Sequence, residues 1–111
     1  MAFVPSFAHV PPEKLRDYLL RPRATDDKSQ FLAQAGFGRS DWRLLRQAIR
    51  ELAATAESTE DGKNEYGRFW RSEGRLVGPS GSVEVVLVWL EWEVDGSFHF
   101  VTLKPLRRKV Q

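Results

Sequence analysis

The hydrophobic and polar positions split the chain into a half with helical spacing and a half with strand alternation. Residues 1–10 read as an extended arm carrying Phe3, Val4, Phe7 and Val10, after which Pro11-Pro12-Glu13 supplies a helix start. Proline costs nothing in a first helical turn, and an acid there suits the helix dipole. Leu15, Tyr18 and Leu19 then fall at helical spacing, and Arg21-Pro22 ends the run. Thr25-Asp26-Asp27 offers an N-cap for a second short helix carrying Phe31, Leu32 and Ala35, closed by Gly36 with Phe37 behind it. Ser40-Asp41 caps the longest helix, over 41–56. There Trp42, Leu45, Ile49, Leu52 and Ala56 form one apolar stripe, with Arg43, Arg46, Arg50 and Glu51 turned away.

Residues 57–64 form a polar break containing Asp61-Gly62, and the spacing beyond it is that of strands. Gly78-Pro79-Ser80-Gly81 and Asp95-Gly96 are turn signals that bound strands over 66–77, 82–94 and 97–105. The second of these holds the longest apolar and β-branched run of the chain, so it belongs at the centre of an antiparallel sheet. Two-residue turns would set Arg75 opposite Glu84, Trp70 opposite Trp89 and Arg68 opposite Glu91. In the second hairpin they would set Glu91 against Phe100, Trp89 against Thr102 and Trp92 against His99. Charge matches and an aromatic pair support the first register, whereas a longer loop at Asp95-Gly96 would shift the second.

This register predicts a core face of Phe69, Val77, Val86, Val88, Leu90, Trp92, Val101 and Leu103 beneath the helices. The opposite face then carries Tyr66, Arg68, Trp70, Leu87, Trp89, Glu91, Glu93, Phe98, Phe100, Thr102 and Lys104. The expected architecture is α+β, three N-terminal helices packed on one face of a C-terminal antiparallel sheet of three or four strands. It forms a single domain over 1–111: an arm at 1–10, a helical half at 11–56, a sheet at 64–105 and a basic tail at 106–111.

Composition narrows the function classes. The chain has no cysteine, so packing alone must hold it, which suits a reducing compartment. It shows neither a leader pattern nor a spanning segment, and the expectation is a soluble cytoplasmic protein without membrane contact. Lys and Arg number 17 against 15 Asp and Glu, with Arg outnumbering Lys. Arg forks onto carboxylate and phosphate and stacks on rings, so the bias fits phosphate or protein partners, as well as an arginine-rich composition with no specific role.

The mixed face concentrates the candidate chemistry. Cleaving RNA through its 2′-hydroxyl needs a proton acceptor, cations around the phosphate and a donor for the leaving oxygen. Glu91 beside Arg68 could serve as base and clamp, Tyr66 and Lys104 could transfer protons or stabilise charge, and Thr102 could orient the phosphate. Trp70, Trp89 and Phe100 could stack bases or anchor a protein partner, and Arg107 and Arg108 could touch phosphates from the tail. The structural alternatives are a plain Arg68–Glu91 salt bridge and a face covered by the arm or by a second copy, giving a homodimer through the Trp70/Trp89 face. His99 alternates with Val101 and Leu103, so it is expected beside Trp92 as a structural imidazole facing the helices, and a one-residue slip of that strand would turn it to the mixed face. His9 lies in the arm. Two distant histidines make no metal site, and no metal or cofactor is expected.

Several segments together carry a resemblance: 14–20 (K-L-R-D-Y-L-L), Lys28 ahead of Phe31, Gly36-Phe37, Asp41-Trp42, Glu65-Tyr66-Gly67 and Gly78-Pro79-Ser80-Gly81. The chain resembles, from about Ala8 to Thr102, a family of small bacterial proteins catalogued as a domain of unknown function. The resemblance implies a role in a toxin system, because such modules occur in short operons and at the ends of large secreted toxins. The order of helices then strands is also similar to the barnase, EndoU, colicin and RelE group of small ribonucleases. That likeness implies active residues on the sheet face away from the helices. Where family members often have a histidine before the lysine matching Lys28, this chain has Arg23-Ala24-Thr25 in a shortened segment. The leading expectation is therefore a small toxin-like ribonuclease acting without metal. The alternative is a non-enzymatic binding module, an antitoxin or immunity protein, with RNA or a cognate small protein as partner.

Overall fold

The computed structural model describes residues 4–5, 8–21 and 28–106. Its helical segments are short except for one. After Pro11-Pro12-Glu13, α1 (Lys14–Leu19) winds as a single π-type turn closed by the Leu20 N–H on the Leu15 carbonyl at 2.8 Å, and it buries Leu15 and Leu19. The expected cap at Thr25-Asp26-Asp27 lies outside the described residues. α2 (Ser29–Ala33) buries Leu32, and the chain leaves it through Gly36 at φ +92°, a conformation that costs a β-carbon dearly. A 3-10 turn at Arg39–Asp41 follows, in which Asp41 accepts the Gly38 N–H at 2.9 Å and so closes the entry to α3 (Trp42–Thr55). The predicted stripe of α3 is present but centred slightly differently: Leu45, Ala48, Ile49 and Ala53 are buried, while Trp42 and Leu52 are half-buried at its margins.

The β half is a four-stranded antiparallel sheet in the order β1-β2-β3-β4. β1 (Ser58–Lys63) occupies most of the stretch expected to be a polar break. No hydrophobic alternation announces it, because it is an edge strand in which only Ser58 is buried. It is held by pairing with β2 (Gly67–Gly78) and by a buried Ser58–Ser72 hydroxyl contact of 2.7 Å. The hairpin of β2 and β3 (Gly81–Trp92) has the expected register, with Arg75 opposite Glu84, Trp70 opposite Trp89 and Arg68 opposite Glu91. Its two-residue tip tucks under α2, where the Ser80 N–H donates to the Ala35 carbonyl at 3.0 Å. A β-carbon at Gly36 would lie 2.6 Å from the Ser80 hydroxyl, which explains the small residues on both sides of this contact.

The helices cover the other face from the one expected. Trp70, Ser72, Gly74 and Leu76 of β2 share a side with Val83, Val85, Leu87 and Trp89 of β3, and most of these sit in one core with Leu15, Leu19, Leu32, Leu45 and Ile49. β3 is apolar on both sides and cannot choose between them. β2 decides: one side of its centre presents Arg71, Glu73 and Arg75, whereas the other presents Ser72 and Gly74, and only the second admits a helix without burying unpaired charge. At Gly74 the approach is close enough that a β-carbon would stand 2.7 Å from Cδ1 of Leu52 in α3. The side left open carries Phe69, Val77, Val88, Leu90 and Trp92 among Arg71, Glu73, Arg75 and Glu84.

β4 (Phe98–Pro105) departs from the expected pairing in two ways. The turn after β3 is longer than two residues, so Glu91 faces Phe98, Leu90 faces His99 and Trp89 faces Phe100. The register then shifts between Val88 and Trp89, leaving Val101 as an extra residue, and resumes with Thr102 opposite Val88 and Lys104 opposite Val86. This bulge changes parity along β4. Phe100 and Leu103 both reach the core, while His99, Thr102 and Lys104 all belong to the open side. The arm finally runs parallel to the outer edge of β4 as an isolated bridge: the His9 N–H donates to the Phe98 carbonyl and the Phe100 N–H to the His9 carbonyl, each at 2.8 Å.

Candidate functional site

The bulge in β4 also builds a site. An extra residue leaves a carbonyl out of the ladder, and here the Val101 carbonyl accepts the Lys14 ammonium at 3.0 Å. That bond draws the polar side of α1 to the sheet edge. Around it lies a hollow of about 590 Å³ lined by Glu13, Lys14, Tyr18, Lys28, Val101, Thr102 and Lys104. Lys28 is buried to a degree unusual for a lysine, its ammonium 3.5 Å from the Tyr18 hydroxyl and 5.4 Å from the ring centre. Three lysines, a tyrosine and a threonine thus line one opening together with Glu13, the Lys14 ammonium being held at the Val101 carbonyl. Such a donor set suits a bound oxyanion, phosphate above all.

The candidates from the sequence are divided between separate places. Thr102 and Lys104 stand in this hollow. Arg68 and Glu91 line a smaller one of about 350 Å³ with Lys63 and Asn64, but they are engaged there: Arg68 Nε lies 3.5 Å from Glu60, and Glu91 accepts the Trp70 indole N–H at 3.0 Å. Tyr66 precedes β2 and is 64 % exposed, bordering a third hollow of about 610 Å³ with Leu90, Trp92 and Val94. Trp89 and Phe100 lie edge-to-face at 5.5 Å and 73° inside the core, so the helices already cover the Trp70/Trp89 face proposed for a homodimer. Arg107 and Arg108 lie outside the described residues.

The two histidines, expected to lie apart, meet in the fold. His9 and His99, 90 positions apart, stack at 4.7 Å and 12°, and Trp92 stacks on the other side of His99 at 3.8 Å and 17°. His99 stands beside Trp92 as expected, but on the open side rather than under the helices. Its Nε2 lies 2.8 Å from the Ser97 hydroxyl, which is 2.6 Å from Asp95 Oδ1, and Asp95 also accepts the Ser97 N–H at 2.9 Å. These hydrogen bonds from Ser97 hold the Asp95 carboxyl below its ordinary range. Burial, followed by the neighbouring His9, lowers the His99 pKa against the pull of Asp95. The spacing D-x-S-x-H in 95–99 was the available signal for the chain of hydrogen bonds, but nothing local to His9 announces its partner.

A family model for a domain of unknown function, DUF6883, matches residues 6–107. The chain belongs to the DUF6883 family. No curated protein and no solved structure matches it. Of the residues that carry the resemblance to this family, Lys14, Tyr18 and Lys28 line the hollow at the β4 edge, while Leu15, Leu19 and Phe37 are core. Gly67 and Gly78 are needed for close approach, since a β-carbon would run into the Glu91 carbonyl at the first and the Ala35 carbonyl at the second. Among the described residues no cluster of three or more His, Cys, Asp or Glu is placed to hold a metal, and no helix is long and apolar enough to cross a membrane.

Proposed function

We propose that this DUF6883 domain is a small toxin-like ribonuclease that binds an RNA phosphodiester, without metal, in the hollow between α1 and β4. The observation that carries the reading is the convergence of Lys14, Lys28 and Lys104 with Tyr18 and Thr102 on one opening. The lysines would hold the phosphate and meet the charge that builds on its oxygens during attack by the 2′-hydroxyl, and Thr102 would orient it through a hydroxyl donor. This places the phosphate elsewhere than the Arg68–Glu91 pair, whose side chains already serve Glu60 and Trp70. In the test, purified protein is incubated with single-stranded RNA and products are followed by 2′,3′-cyclic phosphate formation. Lys14→Ala and Lys104→Ala are each expected to reduce cleavage by at least ten-fold, and growth arrest on expression should be relieved in parallel. Intact RNA, with expression harmless to cells, would remove the reading.

A protein-binding module is the second reading, favoured by the apolar open side, where Val77, Trp92 and Val94 are exposed. Its partner would be a cognate toxin or antitoxin. A complex abolished by Trp92→Arg in a pull-down, with RNA untouched, would favour it.

A further inference from the structure

The hollow between α1 and β4 is lined by lysine, tyrosine and threonine side chains with Glu13 as its one carboxylate, and phosphodiester cleavage through the 2′-hydroxyl needs a group to accept a proton. The next residue of β4 on the open side beyond Thr102 and the bulge is His99, about 10 Å along a strand that rises about 3.3 Å per residue. At attack the 2′-oxygen stands about 3–3.5 Å from phosphorus, and side chains extending from both ends would span the rest of that separation.

The hydrogen bonds around His99 fix its tautomer. An ionised carboxylate only accepts, so the Ser97 hydroxyl gives its one proton to Asp95 Oδ1, 2.6 Å away. Ser97 Oγ must then accept from His99 Nε2 at 2.8 Å, which places the imidazole proton on Nε2 and the free lone pair on Nδ1. Stacking between Trp92 and His9 holds the ring plane. We propose that His99 is the proton acceptor of this site, taking the ribose 2′-hydroxyl proton on Nδ1 while the lysines of the neighbouring hollow hold the adjacent phosphate.

This proposal rests on the ribonuclease reading and deepens it. In the step, the O2′–H bond breaks and its proton moves to Nδ1 as O2′ bonds to phosphorus. The bond from phosphorus to O5′ breaks, and the leaving oxygen takes the Tyr18 hydroxyl proton, leaving a 2′,3′-cyclic phosphate. Water then restores the proton of Tyr18 and receives that of the imidazolium. Charged and titratable groups from each neighbouring element bear on the imidazolium. Asp95 from the preceding turn stabilises it through Ser97, and the Trp92 face on β3 stabilises it as a cation–π partner. His9 on the arm opposes it.

The test uses a DNA oligonucleotide with a single ribose, and its all-deoxy analogue to measure binding separately. Wild-type cleavage should rise with pH along one limb lying below the ordinary imidazole value, because burial lowers the His99 pKa. His99→Gln should lose that limb and at least 100-fold in rate at pH 7 while binding the deoxy analogue within two-fold. Ser97→Ala keeps the ring but breaks the hydrogen-bonded chain, and should displace the limb and slow cleavage about ten-fold. This second variant decides the matter if His99→Gln does not fold. If Lys14→Ala abolishes cleavage but His99→Gln and Ser97→Ala keep both rate and limb, the His99 assignment is wrong and the ribonuclease reading stands. A limb that disappears in Glu13→Gln instead assigns the proton to Glu13. Wild-type protein that binds the deoxy analogue but cleaves no ribose substrate overturns both.

Discussion

At the residue scale, two positions show how a single side chain, or its absence, decides a larger feature. Gly74 leaves room for Leu52 of α3, whose Cδ1 would lie 2.7 Å from a β-carbon there and would have to turn aside to admit one. Gly74→Val is expected to destabilise the fold by about 1–3 kcal/mol through overpacking. Adding Leu52→Ala should recover part of that loss in a denaturant double-mutant cycle, an interaction that independent sites would not show. His99 gives a pH signature. Its folded pKa lies below the ordinary 6.5, so the folded state binds fewer protons than the unfolded one in the window just below that value. The resulting stability is present above pH 6.5 and is lost as the pH falls through the depressed value. Thermal melts between pH 7.5 and 5 should therefore decline less steeply for His99→Gln than for wild type.

At the scale of elements, the decisive object is the bulge at Val101. It returns Thr102 and Lys104 to the open side, sends Leu103 into the core and frees the carbonyl that anchors Lys14. Deleting Val101 is expected to restore regular pairing with Thr102 still opposite Val88 and Lys104 still on the open side, while removing the carbonyl that anchors Lys14. The deletion variant should keep the Val88–Thr102 pairing in backbone amide NMR distances across β3 and β4 and melt lower by about 4–8 °C through loss of the Lys14 bond. α3 and the β2–β3 hairpin were both legible beforehand, since one rests on helical spacing over four turns and the other on a turn sequence with matching charges. β1 was not, because an edge strand of polar residues follows from the unpaired edge of β2 rather than from its own pattern.

At the scale of the whole molecule, the functional proposal is electrostatic. A net charge of only +2 means that RNA affinity must come from local lysine placement rather than a general field. If three lysines of the hollow meet the backbone, log K should fall with log salt at a slope of about −2 for a single strand. Lys104→Ala should reduce that slope by about 0.7, as read by fluorescence anisotropy with the all-deoxy oligonucleotide. A slope near zero would mean that the hollow does not hold phosphate.

The sequence by itself determined the α+β class, the long helix, the β2–β3 register and the residue types available for chemistry. Local spacing and turn chemistry carry those features without help from distant parts of the chain. Which face of the sheet the helices cover was also written there, in the charges at Arg71, Glu73 and Arg75, but the doubly apolar β3 concealed it. Only the tertiary structure decided the contents of the site. Lys14 meets Val101, and His9 meets His99, across 87 and 90 positions. Those meetings depend on a one-residue bulge and a docked arm, and pairing at that range follows from how the whole chain packs rather than from any local pattern.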